Sequence, residues 1–493
     1  GIDVISKLKG ENLSEYKLFV QRIGLVGITN ILVAISGLIL LPIITKNFTT
    51  SDYGVWVQIT TTIALLPNVA TLGLPYTMVR FLSAEKDKEK IREGFYSLAG
   101  VVLISTTTIS LLMLLFSKNI AVALFNGNMN TAILLVPIIF LACLNAFLLN
   151  YFRTFQQMKR YSVFLLIQTY LGLFIASYFA FNGYSITQTA ISLLIANTLT
   201  FVIMLIFIIS KLGFKIPRFQ NLREYLSFGV PTIPGNISYW VVDSSDRYVI
   251  GMLLGTTFVG YYSPGYTLGN IVIMVLSPFS LLLPAVLPKY YEKNDMEQVQ
   301  IFLKYSMKFF FLIAIPAAFG LSALSKPILM VITTQAIALN GYMITPFIAL
   351  SALLYGVYGI VSNILVLEKK TKVVGIVWIL AAILNLALNI ILVPQFGIMG
   401  AAVVTLLAYV LAFSITVIYT NRYFTFDFDL GFIVKSTTAS ALMSLIIFKI
   451  NPYGILNILI TVIICTGIYF ASLIILKGIK KEEIGFFKDL INK

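Results

Sequence analysis

Long apolar tracts, each bounded by clusters of charge, recur along the whole 493-residue chain. A bilayer core takes about 20 consecutive apolar residues per helix. Backbone groups in hydrocarbon find no water, so each tract must close its own hydrogen bonds as a helix. A membrane β-barrel would show alternating segments of about ten residues, and these tracts do not alternate. Charged residues make up only 11% of the chain, against about 25% in soluble domains. The expected fold is all-α and integral to the membrane. Fourteen transmembrane helices are expected at 23–45, 53–78, 95–116, 131–151, 161–181, 187–210, 227–253, 258–287, 305–325, 342–366, 373–393, 398–420, 432–449 and 454–476. The stretches 120–130 and 327–340 each leave room for an interfacial turn.

Lys and Arg accumulate on cytoplasmic loops and so test this count. With the N-terminus inside, 29 of the 35 Lys and Arg fall on eight inner segments. Outer loops hold Lys46, Lys118, Lys326 and Lys449, while Arg247 and Lys308 lie within spans. A miscounted helix would invert this alternation partway along, and it never inverts. Both termini are therefore expected in the cytoplasm. The net charge of +15 is spread along inner membrane edges, which suits anionic membrane lipids and gives no groove for nucleic acid. The chain begins on Gly1 rather than Met, as expected after processing or trimming, and Gly1 to Val20 is too polar for a cleavable signal peptide.

Histidine is absent, which removes imidazole bases, histidine metal ligands and Ser-His-Asp triads together. Cys143 and Cys465 each sit in an apolar tract, far apart and without CxxC spacing. They read as small buried hydrophobes, and no metal site is expected.

The first and seventh helices and the loops after them match at an offset of 206. Asn30 maps to Asn236, Ile44 to Ile250, Thr50 to Thr256 and Gly54 to Gly260. A second match, at offset 214, sets Phe181-Asn182-Gly183 beside Gln395-Phe396-Gly397. Six helices separate equivalent positions, an even number, so both halves cross in the same sense. This is a parallel repeat about an axis along the membrane normal. The expected organisation is a tail at 1–22, an N-lobe at 23–210, a basic amphipathic linker at 211–226 on the inner surface, and a C-lobe at 227–420. Helices 13 and 14 with a cytoplasmic tail fill 421–493.

Of the 20 acidic residues, only Asp243 and Asp246 fall inside a span, and they share one turn with Arg247. Intramembrane charge costs roughly 3 kcal/mol per residue unless paired or hydrated. Positions 243 and 247 form an i, i+4 pair, and the polar stripe extends to Asn236 and to Tyr239 or Trp240. Two readings stand open. The turn lines a cavity, with Arg247 on an anionic headgroup and Asp243 or Asp246 holding a coupling Na⁺ or H⁺; or it is a structural ion pair near the outer surface, relieved by snorkelling. Arg80 and Lys308, near inner helix ends, are candidate cavity cations or surface anchors, and Asn30 is the repeat partner of Asn236. Pro231 and Pro234 should bend the seventh helix near its inner end, with Pro42, Pro67 and Pro75 acting likewise earlier. Asn385 and Asn389, with Pro394, Gly397, Gly400, Ala401 and Ala402, form a tight helix-turn-helix suited to close packing.

Several segments in order give the chain a family likeness. They are Pro42-Ile43-Ile44-Thr45, Asp52-Tyr53-Gly54-Val55-Trp56, Gly73-Leu74, Arg80-Phe81, Phe228-Gly229-Val230-Pro231, Ser245-Asp246-Arg247, Gly260-Tyr261-Tyr262 and Phe396-Gly397-Ile398-Met399-Gly400-Ala401-Ala402. Together they resemble the polysaccharide flippases of the multidrug/oligosaccharidyl-lipid/polysaccharide exporter superfamily. The resemblance implies two six-helix lobes in a V plus two further helices. It also implies alternating-access flipping of a polyprenyl-linked oligosaccharide in the plasma membrane of a bacterium or archaeon, with other glycan-assembly membrane proteins as partners. Family members with a strongly cationic cavity carry several intramembrane cations, whereas Arg247 is the one clear case here. A drug or metabolite antiporter of the same superfamily is the alternative, but such proteins have twelve spans and often an acidic residue in the first helix. A membrane glycosyltransferase needs carboxylates on a sizeable outer loop, and Asp52 is the sole acidic residue outside. No enzymatic activity is expected.

Overall fold

A computed structural model of the chain describes residues 13–481 and 483–484. Residues 1–12 of the expected tail at 1–22, and the last residues of the C-terminal tail, lie outside the described residues. The first half runs through α1 (Leu13–Asn47), α2 (Thr50–Ala70), α3 (Leu74–Leu82), α4 (Lys88–Leu115), α5 (Ser117–Leu124), α6 (Met129–Thr154), α7 (Met158–Phe181) and α8 (Ile186–Leu212). The second continues with α9 (Leu222–Gly229), α10 (Ile233–Leu254), α11 (Thr256–Asn270), α12 (Ser277–Glu292), α13 (Met296–Ile332), α14 (Gln335–Gly341), α15 (Ile344–Val361), α16 (Asn363–Leu367), α17 (Thr371–Phe396) and α18 (Ile398–Thr420). The last pair is α19 (Leu430–Ile450) and α20 (Ile455–Ile475). Among the described residues there is no strand. Below, inner and outer refer to the ends assigned by the Lys and Arg distribution.

Among the described residues, twelve helical segments are long and apolar enough to cross a bilayer, and the pair α2 and α3, bent by 50°, makes a thirteenth when taken as one. Helix α10 has the length of a span, 22 residues, but carries Asp243, Asp246 and Arg247. The chain is a multi-pass membrane protein.

Where the helices break, local chemistry explains it. The span expected at 53–78 bends not at Pro67 or Pro75 but between them, where Leu72 and Gly73 take left-handed φ of 54° and 68°. Pro75 then sits in the first turn of α3, where its missing N–H costs nothing. Between α11 and α12, Ile271–Leu276 tightens to a 3₁₀ turn just before Pro278, which cannot donate to Met274. Before α10, Pro231 falls in the 3₁₀ turn Val230–Thr232, and Pro234 opens the helix. The uncertain stretches near 120 and 335 hold the short helices α5 and α14. Gly183 (φ 77°) and Gly397 (φ 67°), matched in sequence, both follow helix ends in left-handed geometry.

The linker at 211–226 is helical only at its two ends. Gly213, at φ 84°, ends α8, and helix resumes only at Leu222. The stretch between is pinned to the start of α4. Arg92 Nε donates to the Leu212 carbonyl at 2.8 Å, and Glu93 accepts from the Arg218 N–H at 2.7 Å. Lys215 Nζ lies 3.2 Å from Glu93.

The repeat takes physical form at the outer ends of α2 and α11. A Cβ on Gly54 would stand 1.9 Å from the Thr256 carbonyl oxygen, and a Cβ on Gly260 would stand 2.5 Å from that of Thr50. Since Gly54 matches Gly260 and Thr50 matches Thr256, each half meets the other through the same pair of positions. This reciprocity is what a two-fold contact requires. Ser51 Oγ and Thr256 Oγ1 lie 2.7 Å apart across the seam. Lys46 Nζ donates to the Val331 carbonyl at 2.7 Å, supplying a cation to the C-terminal end of α13. One apolar core, including Ile44, Trp56, Ile250 and Tyr262, joins both halves at this level. Inward the cores separate, into one around Phe95 and Phe152 and another around Phe310 and Leu303.

Gly54→Ala must push the outer seam apart by roughly 1.5 Å to reach ordinary contact distance. In a background with Cys143 and Cys465 replaced, the pair Ser51→Cys and Thr256→Cys should form a disulfide readily. Adding Gly54→Ala should slow that cross-link, as read by gel shift under mild oxidant.

Candidate functional site

Beneath the outer seam lies a cavity of about 610 Å³ between the halves. Helix α1 supplies an apolar wall including Ile31, Ala34, Leu38 and Leu41, while α2 adds Tyr53, Trp56, Val57 and Thr60. Asp243 and Arg247 come from α10, and Ser263, Tyr266, Thr267 and Asn270 from α11. Several lining residues are repeat partners at the offset of 206: Val57 and Ser263, Thr60 and Tyr266, Gly37 and Asp243, Leu41 and Arg247. The backbone frame is thus shared, but the charge stands on α10 alone.

Arg247 is 9% exposed and Asp246 fully buried. Arg247 Nη1 lies 3.3 Å from Asp246 Oδ1 and donates to the Asp243 carbonyl at 2.9 Å. Its guanidinium carbon stands 4.2 Å from the centre of the Tyr266 ring, a cation–π contact in a desolvated setting. Asp246 also accepts a close hydrogen bond from the Tyr262 hydroxyl and a longer one, 3.4 Å, from Thr405 Oγ1. Asp243 accepts from the Tyr266 hydroxyl at 3.1 Å and from Ser244 Oγ at 3.1 Å. The expected i, i+4 pairing of Asp243 with Arg247 is therefore corrected. Arg247 takes its ionic partner from Asp246, and the Asp243 carboxylate is held by two hydroxyls.

The other candidates scatter. Asn236 accepts from the Tyr76 hydroxyl of the first half at 3.3 Å. Tyr239 turns into the second half, with ring centres 5.1 Å from Trp378 and 5.8 Å from Tyr355. Trp240 packs against Tyr248 at 5.3 Å. Adjacent helix positions diverge by about 100°, so Tyr239 and Trp240 could not share a face. Asn30 is exposed and lies on the stripe of Ala34, Gly37 and Leu41, one turn further in. Arg80 is exposed at the inner end of α3 and makes no ion pair among the described residues. Lys308 is removed from the cavity altogether. It is 7% exposed, forms a close ion pair with Glu483, and lies 4.9 Å from the Phe432 ring. The carboxylate comes from the C-terminal segment, a partner that the span pattern could not supply.

Some neighbours of the turn were missed in the sequence. Gln58, fully buried on α2, donates to the Arg247 carbonyl at 2.8 Å, and Gly251 leaves room for it, since a Cβ there would stand 2.2 Å from Gln58 Nε2. Tyr262 occupies the repeat position of Trp56, a signal that was available. Thr405 gave none. Asn385, read as a packing residue, accepts from Ser245 Oγ at 3.4 Å and from Asn389 Nδ2 at 3.1 Å.

Comparison with known proteins gives a consistent picture. Residues 19–290 match the profile of a family described as polysaccharide biosynthesis protein, and residues 231–391 match that of the MatE family. The protein described as "Probable low-salt glycan biosynthesis flippase Agl15" of Haloferax volcanii is 24% identical over 260 residues, covering 53% of this chain and 54% of that protein. The match thus spans about half the length of that relative. Among solved structures, the lipid II flippase MurJ in an inward closed conformation aligns with a TM-score of 0.75 at 19% identity, over 94% of this chain and 99% of that one. An inward-facing multidrug MATE transporter aligns with a TM-score of 0.65 at 15% identity, over 79% of this chain and 98% of that one. These likenesses place the fold.

Breaking the buried Lys308–Glu483 pair from one side should be costly, about 3–5 kcal/mol. Lys308→Met should therefore lower the thermal midpoint in detergent, and Lys308→Met with Glu483→Met should recover most of the loss.

Proposed function

The chain belongs to the polysaccharide biosynthesis protein family, and on that premise we propose that it is a flippase for lipid-linked oligosaccharides. It moves a polyprenyl-phosphate- or polyprenyl-pyrophosphate-linked glycan from the inner to the outer leaflet of the cell membrane by alternating access, for cell-surface polysaccharide or glycan export. The observation that carries this reading is the cavity between the halves, apolar on the α1 wall and charged on the α10 wall. A lipid-linked sugar phosphate has the same division, with a hydrocarbon chain at one end and an anionic, hydroxyl-rich group at the other.

In this reading, the thirteen apolar spans and α10 make fourteen, with both termini in the cytoplasm. The lobes are 23–210 and 227–420, and α19 and α20 stand outside the repeat. Arg247 contacts the phosphate, for which a guanidinium offers paired donors. The turn bearing Asp243 and Asp246 takes the coupling ion, Na⁺ or H⁺. Asn236, near the inner end of α10, and Asn30 and Arg80, near the inner mouth, meet the polar group as it enters. The halves meet at the outer seam through Gly54 and Gly260 and again on the inner side through Gly73 and Gly229, so loading from the inner side takes the second contact apart. The work is transport rather than catalysis: Asp52 is the sole acidic residue on the outer loops.

The relative from Haloferax volcanii, described as a glycan biosynthesis flippase, supports this choice over a drug antiporter. So do α19 and α20, which extend the chain beyond a twelve-helix exporter.

Arg247→Ala should reduce translocation of lipid-linked oligosaccharide in proteoliposomes to background while leaving the protein monodisperse and helical. Full transport by that variant would remove Arg247 from the substrate path. Asp246→Asn should transport with little response to an imposed Na⁺ or proton gradient, measured in the same vesicles.

A further inference from the structure

Arg247 is held by one nitrogen and one face, and the rest of its guanidinium is free. Nη1 is shared between Asp246 Oδ1 and the Asp243 carbonyl, at 3.3 and 2.9 Å. The Tyr266 ring lies against the guanidinium, with its centre 4.2 Å from the central carbon. Nε and Nη2 make no hydrogen bond among the described residues, and the side chain borders the cavity. These two nitrogens form the fork of parallel donors that a guanidinium offers to two oxygens of one phosphate group. Holding the group from behind fixes that fork in advance, which lowers the ordering cost of binding.

The cavity wall supplies no second cation. Its charged side chains are Asp243 and Arg247, beside the neutral donors Thr60, Ser263, Thr267 and Asn270. On the facing helix, the repeat partners of Asp243 and Arg247 are Gly37 and Leu41, which add no charge. The other cations near the spans lie elsewhere. Lys46 donates to the Val331 carbonyl, Lys308 pairs with Glu483, and Arg80 is exposed at the inner end of α3. Asp243, Asp246 and Arg247, two carboxylates and one guanidinium, sum to −1.

A glycan joined to its lipid through one phosphate brings one negative charge, and through a diphosphate it brings two. The first phosphate takes the free fork. A second would share the hollow with the Asp243 carboxylate and have no cation of its own. Uncompensated charge at this depth is costly, and like charges repel more strongly where water is scarce.

On the flippase reading, on which this rests, we infer that the cavity is built for a single phosphate: the substrate is a glycan joined to its lipid by a monophosphate diester, and diphosphate-linked glycans are rejected. The selection comes as much from what is withheld as from what is offered. Arg247 provides the attraction, while the missing second cation and the Asp243 carboxylate act against the longer linkage. The neutral donors suit the hydroxyls of the sugar next to the phosphate.

The test uses purified full-length protein in detergent and two synthetic probes, glucose joined to farnesol through one phosphate and through a diphosphate. Binding is read by tryptophan fluorescence, since Trp56 lines the cavity. Both titrations share one pH and one Na⁺ concentration, without divalent ions that would mask the second phosphate. Wild type should bind the monophosphate probe tighter by about tenfold or more. Thr60→Lys adds a cation from the α2 wall, and Asp243→Asn removes the opposing carboxylate. Each variant, verified as folded by circular dichroism, should narrow the ratio to about threefold or less. Equal binding of the two probes by wild type, tighter binding of the diphosphate, or a ratio unmoved in both variants overturns the single-phosphate assignment and leaves the flippase reading standing. No binding of either probe by wild type contradicts the flippase reading and the assignment together.

Discussion

The close approach of α2 and α11 at their outer ends governs where everything else can lie. Gly54 and Gly260 each bring the other half's backbone to a distance that no side chain would permit. Because the two contacts are related by the repeat, they form one seam, and a single apolar core fills the space around it. Further in, the halves keep separate cores. Beneath that seam the larger apolar cores divide and leave a hollow, while α3 and α9 meet again on the inner side, where a Cβ on Gly73 would stand 1.9 Å from the Gly229 carbonyl oxygen. The helices flanking the hollow, α1 and α10, are repeat partners on facing walls.

The two walls share geometry but not chemistry. Where α10 carries Asp243, Asp246 and Arg247, the equivalent positions of α1 are Gly37, Leu40 and Leu41. Charge at this depth persists only where it is paired and hydrogen-bonded, and α11 supplies the partners through Tyr262 and Tyr266. Residues 255–270 therefore serve twice. Gly260 closes the outer seam, and two turns of the same helix hold the charged turn. The seam and the charged turn therefore rest on one helix.

Much of the architecture was legible from spacing alone. Apolar tract length located the membrane helices, and the offset of 206 anticipated the pairs that meet at the seam, because a repeat in sequence becomes a symmetry in space. The charged turn was legible for the same elementary reason, as three costly side chains in a span that otherwise avoids them. Pairing was not. Arg247 could not be assigned to Asp246 rather than Asp243 without knowing that Tyr266 and Ser244 hold the latter. Lys308 resembled a cavity cation until Glu483, 175 residues later, came beside it. Tyr239 and Trp240 looked interchangeable as an extension of the stripe, yet Tyr239 meets Trp378 and Tyr355 while Trp240 packs on Tyr248 of its own helix. Such partners are remote in sequence, and a helix turns far enough per residue that one position decides what a side chain meets.

The central claim is that this protein carries lipid-linked oligosaccharides across the membrane. It is tested most directly by depleting the protein in its native host and analysing lipid-linked sugars by mass spectrometry, with leaflet location read from protection against an impermeant sugar-oxidising reagent. The account predicts that a completed oligosaccharide on its lipid carrier accumulates in the inner leaflet, protected from the reagent. Unchanged levels of every lipid-linked sugar, or accumulation in the outer leaflet, would contradict it.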